Sequence, residues 1–397
     1  MEPVTHLLTG ACLARTGFHR RVTYATAAMA VAAEFPDIDT LWSLRGPVSG
    51  FEHHRGITHT FVAIPFEAAL LVGAFFLLHR VTLRRQPRPL TPLRRLSSRA
   101  PTVHWGALFG LVCLALGSHL LLDFTNNYGL RPFFPFNDRW YAGSIVFIFD
   151  PLLFLLLLSA ILLPPLFGLI GREVGAKDHA LAGPGWARVA LCGVLLLWGV
   201  RFFEHGRAVQ LAGQATLRAP APSADLSLTP LNARFAGTLP QSDQDSGPVP
   251  EETRALLQSR RALASPDPLS LFRWYTVTDF GSAYQLGVAD SRQGTLESGQ
   301  ILNKPNESTA LAAAKQSHLG RVYLDWSPMP FLVVDKDASF SDSSLAPGTQ
   351  VVWFTDPRFM GETPLLHRGG RSPLTGEVIL DRQDAVLVEG MDGRLGR

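Results

Sequence analysis

The chain has 397 residues, three cysteines and a net charge of +3, with 47% hydrophobic and 17% charged residues. Its length exceeds one typical domain, and Cys12, Cys113 and Cys192, each alone in an apolar segment, exclude a disulfide scaffold or a thiolate metal site. The positive balance is concentrated in one loop instead of spread over a surface, which excludes a nucleic-acid footprint and leaves no nucleic-acid partner to expect.

In chain order, two short apolar helices are predicted over residues 4–18 and 22–34. Each is brief for a bilayer crossing and reads as tilted, partly buried or re-entrant. The N-terminus lacks the basic start of a signal peptide, and Arg15, His19, Arg20 and Arg21 interrupt its apolar stretch, although Ala28–Ala33 resembles a small-residue cleavage site. Four helices long enough to span a membrane follow, over about 57–78, 103–122, 145–170 and 186–203. The loop 79–102 carries Arg80, Arg84, Arg85, Arg88, Arg94, Arg95 and Arg99 and no acid, so the positive-inside rule makes it cytoplasmic. Propagating that orientation places Arg15–Arg21 and the 171–185 loop inside, and places 35–56, 123–144 and everything after 204 outside.

Beyond Arg207 the character changes. Residues 217–250 are rich in Pro, Ala, Ser and Asp and read as a linker, and Glu251–Ala264 reads as a short helix. Short β-rich runs then appear at Arg273–Asp279, Tyr284–Ala289, Val322–Trp326, Phe331–Asp335, Val351–Thr355 and Glu377–Leu380. The expected architecture is a polytopic α-helical membrane bundle with a C-terminal extracytoplasmic α+β or mainly β domain. Its expected parts are a transmembrane metal-site domain over 1–205, a helix and linker over 206–264 and a soluble domain over 265–397.

The chemistry-bearing residues gather at the outer face. His119 and Asp123, four apart at the end of an apolar run, share one helix face. Ionisable groups at membrane depth are costly and mark function, and His with Asp is a metal-ligand pair. Asp37 and Asp39 follow Pro36, which favours the turning backbone two such acids need to reach one ion. The run His53-His54-Arg55-Gly56-Ile57-Thr58-His59 sets three histidines in seven residues. Either His53 or His54 faces inward, with His54 the favoured one. Thr58 could cap the next helix or orient His59. His6 lies in the first short helix, while Asp150 reads equally as a helix cap or a site residue. Glu67, within a spanning run, has an open role, and His205 reads as an interface residue.

With His6 and Gly10, Pro36-Asp37-Ile38-Asp39, His54-Arg55-Gly56-Ile57-Thr58-His59 and His119-x-x-x-Asp123, the chain resembles the membrane-bound metal-dependent hydrolases, described in some bacteria as LexA-regulated inner-membrane proteins. The resemblance covers roughly the first 205 residues, and Ser265–Trp274 is similar to the start of the tail in longer members. It implies a bacterial inner-membrane location and a metal-dependent hydrolase.

The expected ligands are His6, Asp37, Asp39, His54, His59, His119 and Asp123, enough for two ions. The imidazole-rich set suits zinc, with manganese as the alternative. Asp39 or Glu34 is the expected general base, and Arg55 the group that steadies developing negative charge. A site at the membrane boundary favours a lipid or lipid-linked phosphoester or ester. Two other classes use the same residues: a metal-handling or transport protein with Glu67 on its path, and a non-catalytic membrane anchor whose β domain binds a partner.

Overall fold

A computed structural model of the protein describes residues 1–85, 103–173, 185–218, 236–237, 258–336, 345, 348–360 and 372–396. The chain forms two contact-dense units, one of Met1–Asp39 with Arg55–Gly199 and the other of Thr40–His54 with Val200–Arg397. The segment Thr40–His54 therefore groups with the C-terminal part, a pairing that a linear division near residue 205 does not express.

The first unit is helical. Helix α1 (Pro3–Arg15) starts with Pro3 in its first turn, and the Glu2 carboxylate accepts from the Val4 and Thr5 amides at 2.7 and 2.8 Å. Helix α2 (Ala25–Glu34) buries Ala25, Ala28, Met29, Ala32 and Ala33. These small side chains let α1 and α2 meet closely. At Gly10 an added Cβ would collide with the Met29 carbonyl oxygen, so only glycine fits there. The excursion Thr40–His54 contains helix α3 (Pro47–His53), and helices α4 (Ala63–Arg85), α5 (Trp105–Thr125), α6 (Pro151–Glu173) and α7 (Gly185–Gly213) follow. The core of this unit joins α1, α2, α4 and α5 through Ala14, Ala28, Met29, Ala32, Leu71, Leu108, Val112, Ala115 and Leu116.

Four stretches are long and apolar enough to cross a membrane: Ala63–Thr82, Trp105–Thr125, Pro151–Leu169 and Gly185–Gly213. The first begins later than the predicted 57, because Ile57–His59 is a 3-10 turn and Thr60 is extended. The third begins at Pro151 instead of 145, because Asp150 caps it by accepting from the Leu153 amide at 3.0 Å. The fourth runs through Gly213, past the predicted end at 203, carrying Arg201, Glu204, His205 and Arg207 along the helix. Residues 86–102 and 174–184, holding most of the loop arginines used for orientation, lie outside the described residues.

The second unit holds two five-stranded antiparallel sheets. One has the order β1-β5-β4-β3-β2, from β1 (Ala236–Gly237), β2 (Arg261–Pro266), β3 (Arg273–Asp279), β4 (Ala283–Asp290) and β5 (Thr295–Asn303). The other has the order β10-β9-β8-β7-β6, from β6 (Phe331–Asp335), β7 (Gln350–Thr355), β8 (Gly376–Leu380), β9 (Val386–Met391) and β10 (Arg394–Leu395). Helices α8 (Thr309–Gln316) and α9 (His318–Trp326) lie between the sheets in sequence.

Two expectations are corrected here. Val322–Trp326 is helical, not a strand: Ser317 caps α9 through the Gly320 amide, and the helix buries Leu319, Tyr323 and Trp326 on one face. Of the helix expected over Glu251–Ala264, residues 251–257 lie outside the described residues, and Arg261–Ala264 belongs to strand β2. Most of the 217–250 linker also lies outside them. Within this unit Phe51 of α3 packs against Tyr323 and Trp326 with ring centroids at 5.7 and 5.2 Å, and Glu52 meets His318 at 3.0 Å. His53 stacks on Trp42 at 4.0 Å and meets the Ser49 carbonyl at 3.0 Å.

Candidate metal centre

Asp37, His59, His119 and Asp123 each present one donor atom to a common point, all within 4.8 Å of one another. They arrive from three local structures. Asp37 lies in the 3-10 segment Phe35–Arg45 that follows α2, and His59 ends the turn Ile57–His59 before α4. His119 and Asp123 occupy one face of α5, fully buried. His59 Nε2 stands 3.0 Å from His119 Nε2, 3.2 Å from Asp37 Oδ1 and 3.4 Å from Asp123 Oδ2. His119 Nε2 is 3.5 Å from Asp123 Oδ2 and 3.7 Å from Asp37 Oδ1.

The imidazole tautomers follow from the outer contacts. His119 Nδ1 lies 2.7 Å from the Ala33 carbonyl, which can only accept, so Nδ1 carries the hydrogen and the Nε2 lone pair points into the cluster. His59 Nδ1 faces Asp39 Oδ2 at 3.2 Å and Thr58 Oγ1 at 3.1 Å, which turns its Nε2 inward. Asp39 therefore stands behind His59. Its Oδ2 also accepts the Arg55 amide at 2.7 Å, where Arg55 adopts a positive φ of 55°.

Arg55 is buried and points at Asp123, not at open space. Its Nη2 donates to Asp123 Oδ1 at 2.8 Å, and its Nη1 donates to Asn126 Oδ1 at 3.1 Å and to the Gly129 carbonyl at 2.7 Å. The guanidinium also lies over the Tyr128 ring, 4.7 Å from its centroid. His6 stacks on His119 at 3.9 Å and places Nε2 3.4 Å from Asp123 Oδ1. The Met1 amino group meets both His6 Nε2, at 3.0 Å, and Asp123 Oδ1.

Among the described residues, three carboxylates, Asp37, Asp39 and Asp123, thus face one permanent cation, Arg55. Burial opposes a charge on His59. The close carboxylates of Asp123, Asp37 and Asp39 overcome that cost and raise its pKa to about 10, so the ring is doubly protonated at neutral pH. Burial likewise opposes the Asp37 carboxylate, but its bond to His59 and the charge near His119 hold its pKa below the ordinary value. Asp123 Oδ2 accepts no hydrogen bond among the described residues, and neither does the buried Oε2 of Glu34 at the end of α2. A buried carboxylate oxygen left open amid inward imidazole nitrogens, with carboxylates outnumbering the permanent cation, is the donor set a divalent cation needs.

His54 follows α3 in the C-terminal unit, and Asp150 serves as the cap of α6. His205 sits 5.3 Å from the Trp274 ring with Nε2 3.2 Å from the Ala264 carbonyl, inside the C-terminal unit. Glu67 is buried in α4 with Oε2 unpartnered among the described residues. Sequence reasoning passed over Asn126, Tyr128 and the Ala33 carbonyl. Asn126 carried a signal in its place one turn beyond Asp123, whereas the Ala33 carbonyl carried none.

A helical membrane part bearing a buried Asp/His cluster able to hold a metal ion, joined to a double-sheet domain, defines the class of protein. The chain belongs to the YdjM inner membrane protein family, whose description matches residues 1–208. It is also 26% identical over 169 residues to the uncharacterized protein YfhP of Bacillus subtilis (strain 168), a match covering 41% of this chain and 45% of that relative. The chain thus spans less than half the length of that curated relative. No solved structure matches.

Proposed function

We propose that the protein is an inner-membrane metal-dependent hydrolase acting on a lipid or lipid-linked phosphoester or ester at the outer face. The observation that carries this reading is the convergence of Asp37, His59, His119 and Asp123 donors within 4.8 Å, at the end of a helix able to cross the bilayer. Those four residues would hold the ion, with His6 beside them and Asp39 fixing the His59 ring. Zinc fits the imidazole share of the set, manganese is the alternative, and the number of His and Asp candidates leaves room for a second ion. A bound divalent ion supplies Lewis-acid polarisation of a phosphoryl or acyl oxygen and an acidified water.

The chain's own groups do the rest. Arg55 holds Asp123 in place and offsets its charge. Glu34, whose Oε2 accepts no hydrogen bond among the described residues, is the group proposed as proton acceptor; burial and the nearby Asp37 raise its pKa to about 8, which makes its ionised form a stronger base than a free carboxylate, and the role leaves Asp39 to orient His59. The arginine-rich loop 79–102 favours a cytoplasmic loop and an outer-facing centre and C-terminal domain.

The test is metal content by mass spectrometry on detergent-purified protein, wild type against His119→Ala/Asp123→Ala, followed by a phosphoester and lipid-ester panel. One or two zinc or manganese ions lost in the double variant, with a hydrolytic activity lost alongside, support the reading. Wild type that carries no metal and cannot be loaded with any sinks it. A second reading, ion passage, draws on the buried Glu67 in α4, and metal uptake by sealed liposomes dependent on Glu67 would favour it.

A further inference from the structure

On the side of α5 turned away from His119 and Asp123 lies a groove of about 440 Å³. Phe61, Gly117, Leu121, Phe124, Leu130 and Phe133 line it, and all belong to the helical unit. That volume is within the range of small-molecule sites, about 300–1,000 Å³, yet the polar anchors such sites carry are nearly absent from its walls. Phe61, Leu121, Phe124 and Phe133 remain 41–53% exposed, an apolar surface that water would penalise.

Three observations identify the medium that fills it. First, α5 is one of the helices long and apolar enough to span a bilayer, and the groove sits at the C-terminal end of that apolar run. Second, the loop that forms the outer wall carries Phe133, Phe136 at 85% exposure and Arg139, the aromatic and basic mixture of a headgroup-level belt. Third, two wall residues are close in sequence to residues of the metal cluster. Phe61 is two residues after His59, and Leu130 follows Gly129, whose carbonyl accepts from Arg55. The Phe61 amide and the Pro132 carbonyl close that wall with a 3.0 Å bond.

The geometry points to an acyl-chain subsite: the groove takes one long hydrocarbon chain of a membrane glycerophospholipid. Its use as the apolar half of a substrate site rests on the hydrolase reading; its occupation by an acyl chain does not.

Gly117 gives a direct handle. An added Cβ there meets no atom within 4 Å, so a large side chain fills the groove without pushing on the helix packing. Gly110, on the same helix and equally open, does not line the groove and serves as the control. Full-length protein is reconstituted into phosphatidylethanolamine/phosphatidylglycerol vesicles containing a trace of phosphatidylcholine with a photoactivatable diazirine in its acyl chain. Adducts are then mapped by peptide mass spectrometry, with metal content measured on the same samples.

The expected result is adducts concentrated on Phe61, residues 117–124 and residues 130–141. Gly117→Trp and the smaller Gly117→Leu should lower them about tenfold, the equivalent of 1.4 kcal/mol of binding, while Gly110→Trp leaves them unchanged. Adducts spread evenly over the lipid-facing sides of α4 to α7, or unaffected by both Gly117 variants, would overturn the subsite. Labelling that persists in protein without hydrolytic activity would sink the hydrolase reading and leave the subsite standing. Hydrolysis retained without localised labelling would do the reverse.

Discussion

The two units bury charge on opposite plans. In the helical unit Asp123 draws its partners from Met1, His6, Arg55, His59 and His119, spread over most of the first 123 residues, and still has an oxygen without a hydrogen bond among the described residues. In the C-terminal unit Asp356 is met by Arg358, two residues away, through contacts at 2.9 and 2.7 Å, and by Ser327. The second arrangement is local and complete; it fixes the end of a strand. The first gathers residues from distant segments into a cluster that could hold a metal ion. Burial of charge is common to both, so burial does not separate a site from a structural pair. Convergence from far in sequence, combined with an open donor atom, does.

The largest effect should come from breaking the two clusters in parallel. Asp123→Ala leaves Arg55 buried without its carboxylate and should cost about 3–5 kcal/mol as well as all bound metal. Asp356→Ala should lower stability over a similar range, about 3–5 kcal/mol, and leave metal content untouched. Thermal unfolding with metal analysis on both variants checks the contrast, and metal loss in Asp356→Ala would erase it.

Gly10→Ala is next. Its Cβ would collide with the Met29 carbonyl oxygen, and forcing α1 away from α2 should cost about 1–3 kcal/mol, read as a lower Tm. Metal affinity should weaken as well, because His6 rides on α1. A variant as stable as wild type would show that the helices are not in tight contact.

The pH dependence of chelated protein sharpens the comparison further. The pKa of His59 is raised to about 10 in the folded state, against an ordinary value of 6.5. Its contribution to stability is therefore complete below 6.5 and is lost as pH climbs through 10. Chelated protein should lose Tm across that window, while metal-loaded protein, in which the ion has displaced the proton, should not. Metal affinity should rise over the same interval. The smallest effect belongs to the exposed pair Lys315–Glu307: Lys315→Ala should change stability by less than about 1 kcal/mol and metal content not at all.

The apolar lengths of α4 to α7 were legible because a bilayer crossing demands a run that composition alone displays. The shared face of His119 and Asp123 was legible because helical spacing sets it. Asp37 and His59 could be named by residue type, but their meeting with α5 depends on tertiary packing. The Ala33 carbonyl that orients His119 leaves no trace in sequence, since every residue has a carbonyl. Arg55 read as an anion holder for substrate; folded, it is committed to Asp123, Asn126 and Gly129. Val322–Trp326 misled because valine and tyrosine favour strands, while the Ser317 cap and the one-sided burial of α9 decided for helix. Strand β5 went unread because Glu297, Ser298 and Gln300 dilute its apolar alternation.

The chain passes between the units at residues 39–40, 54–55 and 199–200, so no single cut divides them. A chain cut short near residue 205 would keep α3 but lose Tyr323 and Trp326, baring Phe51 on a segment anchored to Asp39 at one end and Arg55 at the other. Residues 40–54 group with the sheet-bearing part although helical segments flank them in sequence, so a minimal metal-binding fragment has to be made by excision and religation across that segment, not by truncation.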